Sequence, residues 1–282
     1  MLLLLVFLRS VMPAQAATTV PNLSAISDSD IRNSAIAFVN TSTSPGLEGA
    51  TIEVDTDERD SKQWRSSLGF SAEFTIKKHI FNGYWGLAIV GGSLEDRIDV
   101  ISDVGEEVVL DVKRDVIGLR GSVGLSFPIN QYFKLRPFLS FGVSDLYTKT
   151  IIDGLSIVQP GGDTTTLTSL DTSATMASTT GTIDAAYSRW FNDNRLELMA
   201  EYNLIYTDSI SGDSSVLNTT AWSQTALVKT RYSGATNLVS AGRPWRWQVY
   251  ANHTNFLSFD KASLGYTGLF EVGTGLEWQL NM

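Results

Sequence analysis

GLRGSVGLSFPINQYFKLRPFLSFGVSDL, residues 118–146, is two runs of alternation with a short break between them. In the first run Leu119, Val123, Leu125 and Phe127 alternate with Arg120, Ser122, Gly124 and Ser126, and Ile117 begins the same apolar set. In the second, Phe133, Leu135, Leu139, Phe141 and Val143 repeat it. Successive side chains of an extended chain point to opposite faces, so each run is a strand with one apolar and one polar face. The break, PINQ at 128–131, carries the Pro and Asn of a tight turn. The stretch therefore predicts an antiparallel hairpin.

The same period recurs along the 282-residue chain. Leu68, Phe70, Ala72, Phe74 and Ile76 alternate with Ser67, Ser71, Glu73 and Thr75, following Arg65 and Ser66. Leu196, Leu198, Ala200, Tyr202, Leu204 and Tyr206 alternate with Arg195, Glu197, Glu201 and Asn203, and Trp245, Trp247, Val249 and Ala251 with Arg246, Gln248, Tyr250 and Asn252. At the C-terminus GTGLEWQLNM (273–282) sets Leu276, Trp278, Leu280 and Met282 against Gly275, Glu277, Gln279 and Asn281, so a sheet is expected to hold the chain to its last residue. The pattern predicts ten strands, at 47–55, 63–78, 83–102, 107–127, 132–152, 165–190, 195–208, 217–233, 243–254 and 264–282, or twelve where the long segments hold another hairpin. Gly91 and Gly92 read as a bulge at which the facing parity switches.

A soluble sandwich alternates as well, but its strands are short and its outward polar face is rich in Lys, Thr and Ser. Here the segments are long, the polar face mixes Gly with Arg and Glu, and aromatic pairs gather at segment ends: Tyr84 and Trp85, Tyr132 and Phe133, Trp190 and Phe191, Trp245 and Trp247. Such girdles are expected where a barrel meets lipid headgroups. The N-terminus adds the compartment. MLLLLVFLRSVMPAQA (1–16) has an apolar run, Leu2 to Leu8, too short to span a bilayer, and ends in the small-x-small triplet Ala14, Gln15, Ala16 of a secretory cleavage site. No later run is long and apolar enough for a membrane helix. The expected fold is an all-β, transmembrane, antiparallel up-and-down β-barrel in a bacterial outer membrane. Its parts are a signal peptide at 1–16, an N-terminal extension with a short helix at 17–46, and the barrel at 47–282. With short turns on the periplasmic side, PINQ and FNDN (191–194) lie there, and DTDERDSK (55–62), 153–164, 208–215 and 255–263 form outer loops.

Composition removes several classes of function. There is no Cys, so neither a disulfide framework nor a thiolate metal site is available. Thirty acidic residues against 21 basic give a net charge of −9, which argues against a nucleic-acid partner. No catalytic motif, metal site or cofactor motif stands out, and only two histidines occur, His79 beside Lys77 and Lys78, and His253. Outer-membrane phospholipase A and the lipid A deacylases carry a strand-borne His with a Ser two residues on. In NHTN (252–255) that place is held by Asn255, with Thr254 on the other face. The residues predict no enzyme, with a lipid-modifying hydrolase as the competing reading.

By parity the lumen is lined by Arg65, Glu73, Arg120, Arg136, Arg195, Glu197, Glu201, Arg231, Arg246, Glu271 and Glu277. Mixed signs favour a salt-bridged filling over an ion-selective pore, which normally shows one sign. Acidic residues at the expected outer end, Asp55, Asp57, Glu58, Asp60, Asp208 and Asp213, read as a solvated rim, with divalent cations between lipopolysaccharides as the alternative partner.

Ahead of the barrel, NLSAISDSDIRNSAIAFVN (22–40) repeats Ile31, Ala35 and Phe38 at helical spacing, with Ser27 or Asp28 as N-cap. With this helix, the signal peptide and the hairpin at 118–146, the chain from 22 to 282 resembles a solitary autotransporter translocator barrel without a passenger domain. The resemblance implies a helix inside the lumen and a structural or narrow-pore role, with a passive diffusion channel as the competing reading; the expected partners are outer-membrane lipid, lipopolysaccharide and the barrel-assembly machinery, whose C-terminal signal the terminal alternation resembles. That family has twelve strands and a C-terminal Phe or Trp; here the chain ends in Met282.

Overall fold

The computed structural model describes residues 28–45, 50–56, 59–77, 80–101, 107–153, 156–158, 164–166, 169–212, 220–240, 242–258 and 267–278. The expected signal peptide, the extension up to residue 27, His79 and the last four residues lie outside them.

One helix, α1 (Asp28–Thr43), precedes twelve strands: β1 (Ala50–Thr56), β2 (Arg59–Lys77), β3 (Phe81–Ile101), β4 (Glu107–Pro128), β5 (Phe133–Asp153), β6 (Ser156–Val158), β7 (Thr164–Thr166), β8 (Ser169–Phe191), β9 (Asn194–Gly212), β10 (Thr220–Ser240), β11 (Arg243–Phe256) and β12 (Gly268–Trp278). Ten of the strands form one sheet in sequence order, every neighbour antiparallel, and β6 with β7 makes a small separate hairpin. The sheet is up-and-down and curled into a barrel-like surface. Its curl brings β2 to β12 across the inner side, where Arg65 and Glu271 form an ion pair at 2.7 Å, both side chains almost fully buried. No ladder between β1 and β12 occurs among the described residues.

The strands alternate as the period of two requires. In β9 Leu198, Tyr202 and Leu204 point outward and are exposed, whereas Glu201, Asn203, Ile205 and Thr207 are buried on the inner face. In β2 and β4 the outward Leu68 and Leu119 are 69% and 58% exposed. An apolar row of this kind faces outward on β2, β3, β4, β5, β9 and β11, in the half of each strand nearest the connections at 78–80, 129–132, 192–193 and 241–242. In that half the outward positions from Ile117 to Leu125 span about 25–30 Å of strand. Outward charges begin farther along, with Lys62, Glu95, Arg97, Lys113, Asp145, Lys149 and Asp171. Aromatic pairs border the row: Phe81 with Phe127 and Tyr132 with Tyr187 at the short-turn end, Tyr206 with Trp222 at the other. Arg189 stacks over Tyr132 and Phe191 in the first border.

Several expectations need correction. The loop expected at 55–62 is largely hairpin, since Asp55 pairs with Asp60 and Thr56 with Arg59. β9 runs on to Gly212 and β11 to Phe256, and residues 164–166 belong to the small hairpin rather than to β8. Backbone pairing continues past the point where apolar alternation ends, because the ladder hydrogen bonds join main-chain groups and do not depend on an apolar face. The bulge expected at Gly91 and Gly92 is absent: the β2–β3 register runs unbroken from Trp64 opposite Ser93 through Ser66 opposite Gly91. Instead the inner face turns apolar, with Val90 and Leu94 buried on it, which imitates a switch of parity. Two aromatics of the expected girdles belong inside. Tyr84 packs on Phe138 with Arg136 over its ring, and Trp190 has Arg246 and Arg195 stacked on it.

Candidate functional site

The helix lies on the inner face of the sheet. Residues 35–44 are all buried, and Phe38 is 0% exposed. Ala35, Ile36, Phe38 and Val39 form one apolar cluster with Leu94 of β3, Val116 of β4, Leu146 of β5 and Ala174 and Met176 of β8. Each large side chain so buried contributes about 1.5–3 kcal/mol, more than a helix of this length gains from its own backbone. The expectation that Ala35 and Phe38 pack inside is met. The side chain of Ile31, at the same helical spacing, is outside those described. The helix also continues three residues beyond the expected Asn40.

Its last turn, NTST (40–43), is composed of weak helix formers, and the wall and the helix itself satisfy their polar groups. The Thr41, Thr43 and Ser44 hydroxyls donate to the carbonyls four residues back, at 2.6–2.8 Å. Asn40 donates through Nδ2 to Ser223 Oγ and accepts from Thr207 Oγ1, both at 2.6 Å. The last turn has no basic residue of its own to offset the negative end of the helix dipole. The strands supply it: Arg65 donates to the Thr41 carbonyl at 3.2 Å and Arg120 to that of Thr43. At the other end Arg114 donates to Ser34 Oγ at 2.6 Å. Gly92 is glycine because the helix comes so close: a Cβ there would lie 2.6 Å from Ser42 Oγ.

These contacts fix the direction of the helix. Ser34 meets Arg114, in the half of β4 nearest the long connection at 102–106, and Thr43 meets Arg120, nearer the turn at 129–132. The helix thus enters from the long-connection end and points its carbonyl end toward the short turns.

Below it, from Pro45 toward the short turns, lies an open-ended cavity of about 730 Å³. Seven of the eleven residues expected to line the lumen are on its wall: Glu73, Arg120, Arg136, Arg195, Glu197, Glu201 and Arg231. They form networks rather than isolated charges. Lys134 binds Glu73 at 2.5 Å, Arg136 reaches Glu73 at 3.6 Å and pairs with Asp184, and Glu197 takes Arg195 and, at 3.7 Å, Arg231. Glu201 accepts from Asn203 at 2.8 Å, and Asn203 also bonds Thr182 and Thr225. The other four expected residues are inner-facing but elsewhere. Arg65 and Glu271 form the β2–β12 pair, Arg246 donates to the carbonyls of Asp193 and Ser233, and Glu277 stands opposite Arg246 in the β11–β12 ladder.

Sequence reasoning did not single out Arg114, Lys134, Asp184, Lys229 or Asn40. Extending the parity of Arg120 back to 114, of Arg136 to 134 and of Arg231 to 229 finds three of them. Asp184 lies in β8, whose two faces, Thr180, Thr182 and Ala186 against Gly181, Ile183 and Ala185, differ little in polarity. On β11, His253 and Asn255 are exposed on the outer, apolar face, and Thr254 is buried on the inner one.

Fold and site together define a barrel-like antiparallel sheet with its own N-terminal helix docked inside. No family model and no curated protein matches the sequence.

Proposed function

We propose that this chain is an outer-membrane β-barrel, closed by β1 against β12, whose interior is occupied by its own N-terminal helix in the manner of an autotransporter translocator. Its role on this reading is structural or that of a narrow pore, its surroundings are lipid and lipopolysaccharide, and the barrel-assembly machinery inserts it. The observation that carries the reading is the outward apolar row. It runs about 25–30 Å along the strands, bears no outward Asp, Glu or Lys among the described residues, and is edged by aromatics. A tilted strand needs about 9–11 residues to cross the hydrocarbon layer, and Ile117 to Leu125 is nine residues. In water, exposing so large a contiguous apolar surface is unfavourable. The direction of α1 supports the resemblance further, since its N-terminus lies at the end with the long connections, the expected outer side.

The test is conductance in planar bilayers together with a surface tag. The full-length chain should conduct weakly, and deletion of 28–43 should raise conductance while the barrel still assembles. An epitope inserted at 17–27 should be reached by antibody on intact cells. Purification of the folded chain from the aqueous fraction, with no association with membranes, would refute the reading.

A further inference from the structure

We infer that the outward face of the sheet, at its short-turn end, holds the phosphate of a membrane glycerophospholipid, with Arg189 as the anchor. This rests on the proposed membrane barrel and deepens it by naming the lipid group that the rim binds. Arg189 is exposed beside two rings on its own face, its Cζ 5.5 Å from the centroid of Tyr132 and 5.0 Å from that of Phe191. Stacking covers the flat side of a guanidinium and leaves its in-plane N–H groups, the fork that matches a phosphate, to a ligand. Among the described residues no carboxylate forms an ion pair with it, Asp193 of the following turn included. Both rings are held in place. Asn130 Oδ1 accepts from the amides of Tyr132 and Phe133 at 2.8 and 2.9 Å, and the Tyr132 carbonyl accepts from the amide of Ser188, beside Arg189, at 2.7 Å. Phe191 stands in the last rung of β8, opposite Asn194.

Depth selects the partner. Along β8 the outward side chains run Ile183, Ala185, Tyr187 and then Arg189. Tyr187 belongs to the aromatic border, and Arg189 stands two residues beyond it. Two residues advance a strand by about 6–7 Å, or about 5 Å along the membrane normal at a tilt of about 40°. The headgroup layer outside the hydrocarbon is about 5–7 Å thick on each side, so the guanidinium stands at the level of the lipid phosphates. A phospholipid bound there sets its acyl chains against Tyr187 and the exposed Ile183, which a free phosphate in water has no apolar part to cover.

The experiment is native mass spectrometry of the full-length protein in detergent, titrated with dioleoylphosphatidylglycerol. One lipid should bind ahead of the others, and Arg189→Gln should weaken that first binding about tenfold, the loss expected for a charge-assisted hydrogen bond. Tyr132→Leu with Phe191→Leu should weaken it about threefold through loss of the stacking. Arg243→Gln, which removes a charge at the start of β11, should leave it unchanged. Dioleoylglycerol, with the same chains and no phosphate, should not occupy the site, and excess inorganic phosphate should not displace the lipid. Unchanged binding in Arg189→Gln, an equal loss in Arg243→Gln, occupancy by dioleoylglycerol or displacement by inorganic phosphate overturns the inference and leaves the barrel standing. A protein that stays folded in water without detergent and binds no lipid overturns the barrel and the inference together.

Discussion

Phe38→Ala tests whether the helix is a separable insert or part of the wall. Phe38 is fully buried in the cluster of Leu94, Val116, Leu146 and Met176, so truncation removes the largest apolar contact between helix and sheet. Phe-to-Ala changes in packed interiors cost about 3–5 kcal/mol, and each 1.4 kcal/mol is a factor of ten in the docking equilibrium. The undocked helix should therefore become roughly 10²- to 10³-fold more populated. Because the chain has no cysteine, a single Thr41→Cys reports on docking: Thr41 is 1% exposed, and a thiol there reacts with maleimide only when the helix leaves the wall. Labelling in the Phe38→Ala background should accelerate by about that factor, with the heat-resistant gel mobility of the folded barrel retained. Acceleration below about tenfold would refute the argument that this cluster holds the helix. Loss of the folded band would show that the helix is integral to the sheet.

Three further outcomes follow from the same geometry. Gly92→Val should raise Thr41→Cys labelling about tenfold or more, because its Cβ meets Ser42 Oγ at 2.6 Å, whereas Gly91→Val, which finds only the Val116 carbonyl at 3.4 Å, should leave it nearly unchanged. Arg65→Leu strands the buried Glu271 and should lower stability by about 3–5 kcal/mol in urea titrations of the detergent-folded protein; the double change with Glu271→Leu should cost less than either single one, because no charge is left unpaired. Leu198→Arg, outward and mid-row, should cost about 2–4 kcal/mol of insertion into lipid vesicles, read as loss of heat-resistant mobility, while Glu197→Gln on the inner face should be much milder.

The outward face was legible residue by residue. Leu68, Leu119, Phe141, Leu198 and Leu276 all point where the period of two puts them, because successive side chains of a strand alternate between its faces. Strand order and the short turns near 128–131 and 191–194 followed from the same signal. So did the facing of the eleven charged residues, since parity alone assigns a side once the outward one is known.

What the tertiary structure decided was everything that depends on the inner face meeting itself. The ion pair of Arg65 with Glu271 joins residues that only the curl of the sheet brings together, and no local pattern names such a partner. Lys134 with Glu73 reaches past two intervening strands, β3 and β4, for the same reason. Gly92 looked like a bulge because the inner positions around it, Val90 and Leu94, are apolar; they are so because a helix packs there, and that packing is a contact between distant parts of the chain. The weakly helical NTST turn is likewise stable through Arg65, Arg120, Thr207 and Ser223, which reach it from four different strands. Local periodicity records the medium each residue faces, while the choice of partner within the interior is set by three-dimensional proximity, on which sequence spacing is silent.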